Sequence, residues 1–272
     1  MKKSYFLVLV FSLLFFINCS KDSNGDGTSD TPVKIDKSAN LEAPGDSAMD
    51  LLSNDNYDKI LLEIGYVAGF KPDASAINDL IENLKERTFK QIVEVKYLVI
   101  PSPAKDSLSL QEVADLESEN RTAYSSGSTI AIYIYFSDAP SDEDKPEEDL
   151  VTLGAVFRNT SMVIYESTVQ NLANKSLLLS TATVETATLL HEFGHLFGLV
   201  HLNNEMVNPH EGTTTNDKGE EVPSQHCNQE GCLMRAELEF GSAMGKMLEA
   251  KNGQVPDLDA ECLLDLKSYG GR

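Results

Sequence analysis

Between Thr129 and Phe136 the chain alternates strictly, with Ile130, Ile132, Ile134 and Phe136 set against Ala131, Tyr133 and Tyr135. A period of two with apolar residues on both sides predicts a strand covered on both faces. Residues 60–67 form a short apolar run that reads as a strand. Ile92–Ile100 is β-branched and stops at Pro101, which predicts another. Between them, Ala74–Arg87 carries Ala76, Ile77, Leu80, Ile81 and Leu84 at helical spacing, and residues 108–121 read as a helix opened by Ser107 or Ser109. Strand, helix, strand, helix, strand implies right-handed crossovers and a largely parallel sheet. Residues 138–149 form a proline-containing acidic loop at the surface. Two short strands follow, 150–157 and 161–165. Residues 183–197 predict a helix in which Leu189, Leu190, Phe193, Leu196 and Phe197 leave few polar sides, so it is buried almost all round. Residues 202–226 are polar and aperiodic and read as a loop with His210 at the surface. Residues 238–250 and 260–269 return to helical spacing. No internal repeat is visible.

The buried helix carries the chemistry. His191-Glu192-Phe193-Gly194-His195-Leu196-Phe197-Gly198-Leu199-Val200-His201 fits H-E-x-x-H-x-x-G-x-x-H. Two histidines four apart share one helical face and can share a metal. Glu192 can reach a water on that metal and act as base, and Gly198 can end the helix at positive φ and bring in His201 as a third ligand. Three neutral imidazoles leave a fourth position open, the arrangement of a catalytic zinc site. Three of the chain's five histidines sit in these eleven residues, which lowers the odds of coincidence.

The eleven residues resemble the metzincin clan of zinc endopeptidases. That resemblance implies an α+β, two-lobed zincin with a twisted, mostly parallel sheet, one antiparallel edge strand, an active-site helix and a small helical C-terminal lobe. It also implies a methionine turn beneath the metal, for which Met234 is the candidate; Met206 competes but lies only five residues past His201. The edge strand would contain Gly154, Ala155 and Val156 and pair with extended substrate. A narrower likeness covers His226-Cys227-Asn228-Gln229-Glu230-Gly231-Cys232-Leu233-Met234, which is similar to the archaemetzincin branch. There the histidine before the first cysteine is itself the third ligand, so His226 stands beside His201 as a candidate. A cysteine-rich second zinc site would be short of ligands, because the single Cys262 stands where that branch has a pair.

The N-terminus adds an address. Lys2 and Lys3 precede the apolar residues 5–17, which are too few to span a bilayer and read as a signal peptide over residues 1–18. Phe16-Ile17-Asn18-Cys19 resembles a bacterial lipobox with Cys19 lipidated. Residues 19–50 then read as a flexible tether, and 51–272 as one metalloprotease domain divided near Gly198 into upper (51–198) and lower (199–272) lobes. The expected location is the cell envelope, as an outer-membrane lipoprotein facing the periplasm or the cell surface, held to the membrane through its lipid alone. Without residues 1–18 the chain has 20 basic and 43 acidic residues, a formal charge of −23, which repels phosphate backbones and argues against nucleic acid as a partner. Calcium is a weaker reading: Asp22, Asn24, Asp26 and Gly27 mimic the start of a calcium loop, but Val33 stands where the closing glutamate belongs. In an oxidising compartment, two of Cys227, Cys232 and Cys262 would form one disulfide, and the sequence leaves the pair open.

These readings converge on a monomeric, extracytoplasmic zinc endopeptidase acting on protein or peptide substrates. The alternative is a catalytically silent surface lipoprotein that binds a protein or glycan with the same fold.

Overall fold

The computed structural model describes residues 35–200, 202, 204–216 and 218–272. The expected signal peptide, Cys19 and the calcium-like stretch lie outside the described residues, as does His201. The fold is α+β. Strands β1 (Lys59–Val67), β2 (Ile92–Ile100), β3 (Thr129–Phe136), β4 (Gly154–Arg158) and β5 (Ser161–Ile164) form one sheet in the order β2-β1-β3-β5-β4. β1 runs parallel to β2 and β3, and β3 parallel to β5; β4 alone is antiparallel and ends the sheet. The expected mostly parallel sheet with one antiparallel edge is therefore present.

The alternation in β3 assigns its two faces. Ile130, Ile132, Ile134 and Phe136 join Ile60, Leu62 and Ile64 of β1 in the main core, under α2 (Ala74–Arg87) and α5 (Thr181–Leu196). Tyr133 and Tyr135 face the other way, into a smaller core with Leu108, Val113 and Tyr165 beneath α3 (Leu110–Asn120). Ser109 rather than Ser107 starts α3. Its side chain and that of Glu112 satisfy each other's backbone N–H in a capping box, which supplies donors the helix end lacks.

Under α3 lies a buried ion cluster. Glu117 accepts from Arg121 at 2.7 Å, from Arg158 at 2.6 Å and from Ser161 at 2.6 Å, and Arg121 also donates to the Ala131 carbonyl at 2.7 Å. Removing one partner of such a cluster leaves an uncompensated charge in low dielectric. Glu117→Ala is expected to cost about 3–5 kcal/mol in urea denaturation. A loss below about 1 kcal/mol, the scale of an exposed pair, would show that water reaches Arg121.

Three stretches depart from the sequence reading. Order begins upstream of residue 51: a 3-10 turn (Ser38–Asn40) and α1 (Ala48–Leu52) pack on the domain, with Leu51 and Leu52 fully buried. Polar composition suggested a tether there, but Asn40 is a buried anchor whose amide donates to the Ala131 carbonyl, Ser125 and Thr160. Second, α4 (Glu166–Lys175) follows β5 directly, a helix the sequence reading did not name. Third, the expected loop 202–226 contains a hairpin, β6 (Glu211–Thr215) and β7 (Glu221–Cys227), whose threonine- and glutamate-rich strands lack an apolar alternation because both faces stay partly wet. Two more helices, α6 (Gly241–Ala250) and α7 (Ala260–Ser268), follow. Among the described residues, no helix is long and apolar enough to cross a membrane.

Candidate metal centres

Helix α5 is fully buried along its last turns, and His191, Glu192 and His195 are 0%, 2% and 7% exposed. Among the described residues, the third imidazole beside them belongs to His226, at the end of β7. Nitrogens of His191, His195 and His226 all lie within 4.8 Å of one another. Nε2 of His191 and Nε2 of His195 are 3.2 Å apart. Two nitrogens on one tetrahedral zinc, with bonds of about 2.0–2.1 Å, stand about 3.3 Å apart, so the spacing suits a shared ion.

The outer groups fix which nitrogens face inward. His191 Nδ1 donates to the Leu233 carbonyl at 2.8 Å, and His226 Nδ1 donates to the Ser224 carbonyl at 2.7 Å. Both therefore carry a proton on Nδ1 and turn Nε2 toward the cluster, the arrangement that holds ligating histidines in place. Burial, and then the neighbouring His226, lowers His191 to about 4, and burial, then His191 and His226, drives His195 well below its ordinary value. Neutral imidazole is the form that binds metal. The residues present thus fit a zinc ion.

Burial and the charge of Glu239 raise Glu192 well above the ordinary carboxyl range, while a bond from the Val156 backbone opposes them. Such a carboxyl suits a base that works near neutral pH. Its neighbour is the edge strand: a Cβ at Gly154 would come within 2.9 Å of Glu192 Oε1, so glycine there lets β4 approach the base.

The turn after Cys232 lies under the helix. Met234 is fully buried, and a Cβ at Gly194 would meet its Sδ at 2.1 Å. Gly194 is therefore the residue that admits the methionine, and Leu233 in the same turn carries the carbonyl that orients His191. Met206 is partly exposed in the segment before the hairpin. Gly198 takes φ +74° as expected, and Val200 and Gln225 also adopt positive φ, at 59° and 58°. For Gln225, one residue before His226, this strained conformation helps set the direction from which the imidazole enters.

Directly after His226 a second cluster begins. Cys227, Cys232, Asp259 and Cys262 bring ligand atoms within 4.8 Å of one another. The three thiols are free and buried, which corrects the expected disulfide. Cys232 and Cys262 are 3.7 Å apart at sulfur, close to the roughly 3.8 Å between two thiolates on one zinc with bonds of about 2.3 Å. Cys227 lies 3.0 Å from Asp259 Oδ2. His210, expected at the surface, is fully buried instead: Nδ1 donates to the Asn208 carbonyl at 2.8 Å, and Nε2 points at Cys262 Sγ, 3.5 Å away. The cluster is therefore not short of ligands. Asp259 supplements the three cysteines, with His210 beside Cys262, and no local spacing could have flagged residues this far apart.

Asp46 accepts from the Ala43 backbone and Asp50 from Asn56, and Tyr269 donates to the Glu205 carbonyl. A cavity of about 760 Å³ opens beside His226, lined by Thr213 and Ser224 of the hairpin, by Leu150, and by Phe240 and Lys246. The acidic loop forms its other rim through Glu148 and Asp149.

No family model and no curated protein matches the chain. Among solved structures it is similar to the archaemetzincin of Methanopyrus kandleri, at 16% identity and a TM-score of 0.46, over 79% of this chain and 96% of that one.

Proposed function

We propose that the protein is a zinc-dependent endopeptidase of the metzincin type. The observation that carries this reading is the meeting of three buried imidazoles with a buried carboxyl, Glu192, at the foot of the sheet's edge strand. His191, His195 and His226 are the proposed ligands. A zinc ion held by these imidazoles would supply Lewis acidity, for a carbonyl and for a bound water. Glu192 takes the proton of the attacking water on its carboxylate and returns it to the departing amine. The outer edge of β4, from Gly154 to Val156, offers backbone groups to an extended peptide and aligns its scissile bond. The cavity beside His226 receives a side chain of that peptide. Cys227, Cys232 and Cys262, completed by Asp259, would hold a second, structural zinc. Calcium has no part in this reading. The lipid anchor at Cys19 and an address in the cell envelope are proposed from the N-terminal sequence alone, as are the monomeric state and the absence of nucleic-acid partners.

The test is cleavage of a diverse peptide library by the zinc-loaded protein beside Glu192→Ala. General acid–base catalysis contributes about 10²–10⁴-fold, so the variant should lose at least that much turnover and keep its zinc. A folded, zinc-loaded wild type that cuts nothing would sink the peptidase reading and favour a silent binding protein.

A further inference from the structure

Two of the three imidazoles take their positions from the loop that carries two of the thiols. His226 is joined to Cys227 by a peptide bond, and the carbonyl that orients His191, 2.8 Å from its Nδ1, belongs to Leu233, next to Cys232. The loop between them is closed. Cys227 N donates to the Met234 carbonyl at 2.7 Å, and Met234 N to Cys232 Sγ at 3.3 Å. The imidazole, the carbonyl and the two sulfurs therefore move together. The other members of the cysteine cluster come from α7. Asp259 caps that helix, with Oδ2 3.0 Å from Cys227 Sγ, and Cys262 lies in its first turn, 3.7 Å from Cys232 at sulfur. One backbone bond, from Leu233 N to the Asp257 carbonyl at 2.9 Å, joins the same two segments. The cluster is thus the junction of loop and helix. Metal ligation would lock that junction, because a structural zinc contributes folding free energy directly. Filling it does not repel a second cation, since three thiolates and a carboxylate outweigh the two charges of the ion.

We propose that the cysteine cluster is the mount of the imidazole site: once Cys227, Cys232, Asp259 and Cys262 share a metal, His191, His195 and His226 bind theirs more tightly. The inference rests on the metal-site reading above and adds a linkage between its two centres. Cys227 and Cys232 are positioning residues, acting through His226 and through the Leu233 carbonyl. Supporting groups of ligating histidines are worth about 10–100-fold in metal affinity, which sets the size of the effect. Linkage is reciprocal, so an ion on the imidazoles tightens the cysteine cluster by the same factor.

The experiment uses the whole chain and cobalt(II), whose visible bands lost in His191→Ala belong to the imidazole site. One equivalent of cadmium, which prefers thiolate, first fills the cysteine cluster. Cobalt is then titrated onto the wild type, Cys262→Ser and Glu117→Ala. Cys262→Ser removes a cluster ligand on α7, away from both His226 and the Leu233 carbonyl. Glu117→Ala, whose partners are Arg121, Arg158 and Ser161, loosens the fold under α3 without touching either cluster. The expected result is cobalt held about 10–100-fold more weakly by the imidazoles of Cys262→Ser and unchanged in Glu117→Ala. Equal affinity in Cys262→Ser and wild type would overturn the linkage and leave the three-histidine site intact. An equal loss in both variants would also overturn it, by reducing the effect to lost stability. Asp259→Asn keeps the cap of α7 and guards against a folding defect in the cysteine variant. It is titrated with and without saturating cadmium, which is expected to restore the wild-type cobalt affinity; no response to cadmium overturns the linkage. Cobalt bands that all survive His191→Ala would overturn the metal site itself.

Discussion

His226→Ala is expected to release the metal of the imidazole site. Loss of one ligand in three should weaken zinc by more than about 100-fold, beyond the 10–100-fold typical of changes to supporting groups. Competition with a chromophoric chelator measures it, and peptide cleavage should fall in parallel. The variant is informative because the motif spacing alone points to His201, whereas His226 has its Nδ1 bonded to the Ser224 carbonyl and a ring nitrogen beside those of His191 and His195. Metal retained by His226→Ala would overturn the assignment of His226.

A chelator that strips the cysteine cluster is expected to lower the melting temperature by about 6–20 °C. Structural zinc contributes folding free energy directly. A loss of roughly 3–5 kcal/mol at about 2–4 °C per kcal/mol for a domain of this size gives that range. Cys262→Ser should reproduce the shift, because it removes the sulfur 3.7 Å from Cys232 and beside His210. Calorimetry with and without chelator checks it. Sensitivity to a reductant instead of a chelator would restore the disulfide that the sequence suggested.

Much of the framework was legible because its elements bury one regular face. Ile130 to Phe136 announced β3, and Ala74–Arg87 was delimited to the residue. The histidine pair on α5, Glu192 and the glycine at positive φ were legible because four residues of helix fix their relation locally. What escaped depends on contacts across long stretches of chain. Asn40 makes a polar segment part of the fold by bonding to groups 85 to 120 residues away. His210 looks like any loop histidine until Cys262 and Asp265 close around it. The hairpin was hidden by the absence of an apolar face.

His226 and Cys227 are neighbours in sequence, yet each belongs to a different cluster. The first is therefore located from its C-terminal side: Cys227 N donates to the Met234 carbonyl at 2.7 Å, and its sulfur sits in the cysteine cluster. His226 is also the last residue but one of β7, and Cys227 pairs with Glu211 of β6, so hairpin and cysteine cluster place the imidazole together. A histidine on the helix itself follows at a fixed count, whereas this one is set by strand pairing and by sulfur. Residues of the same hairpin line the cavity beside it, so the element that carries His226 also builds one wall of that cavity.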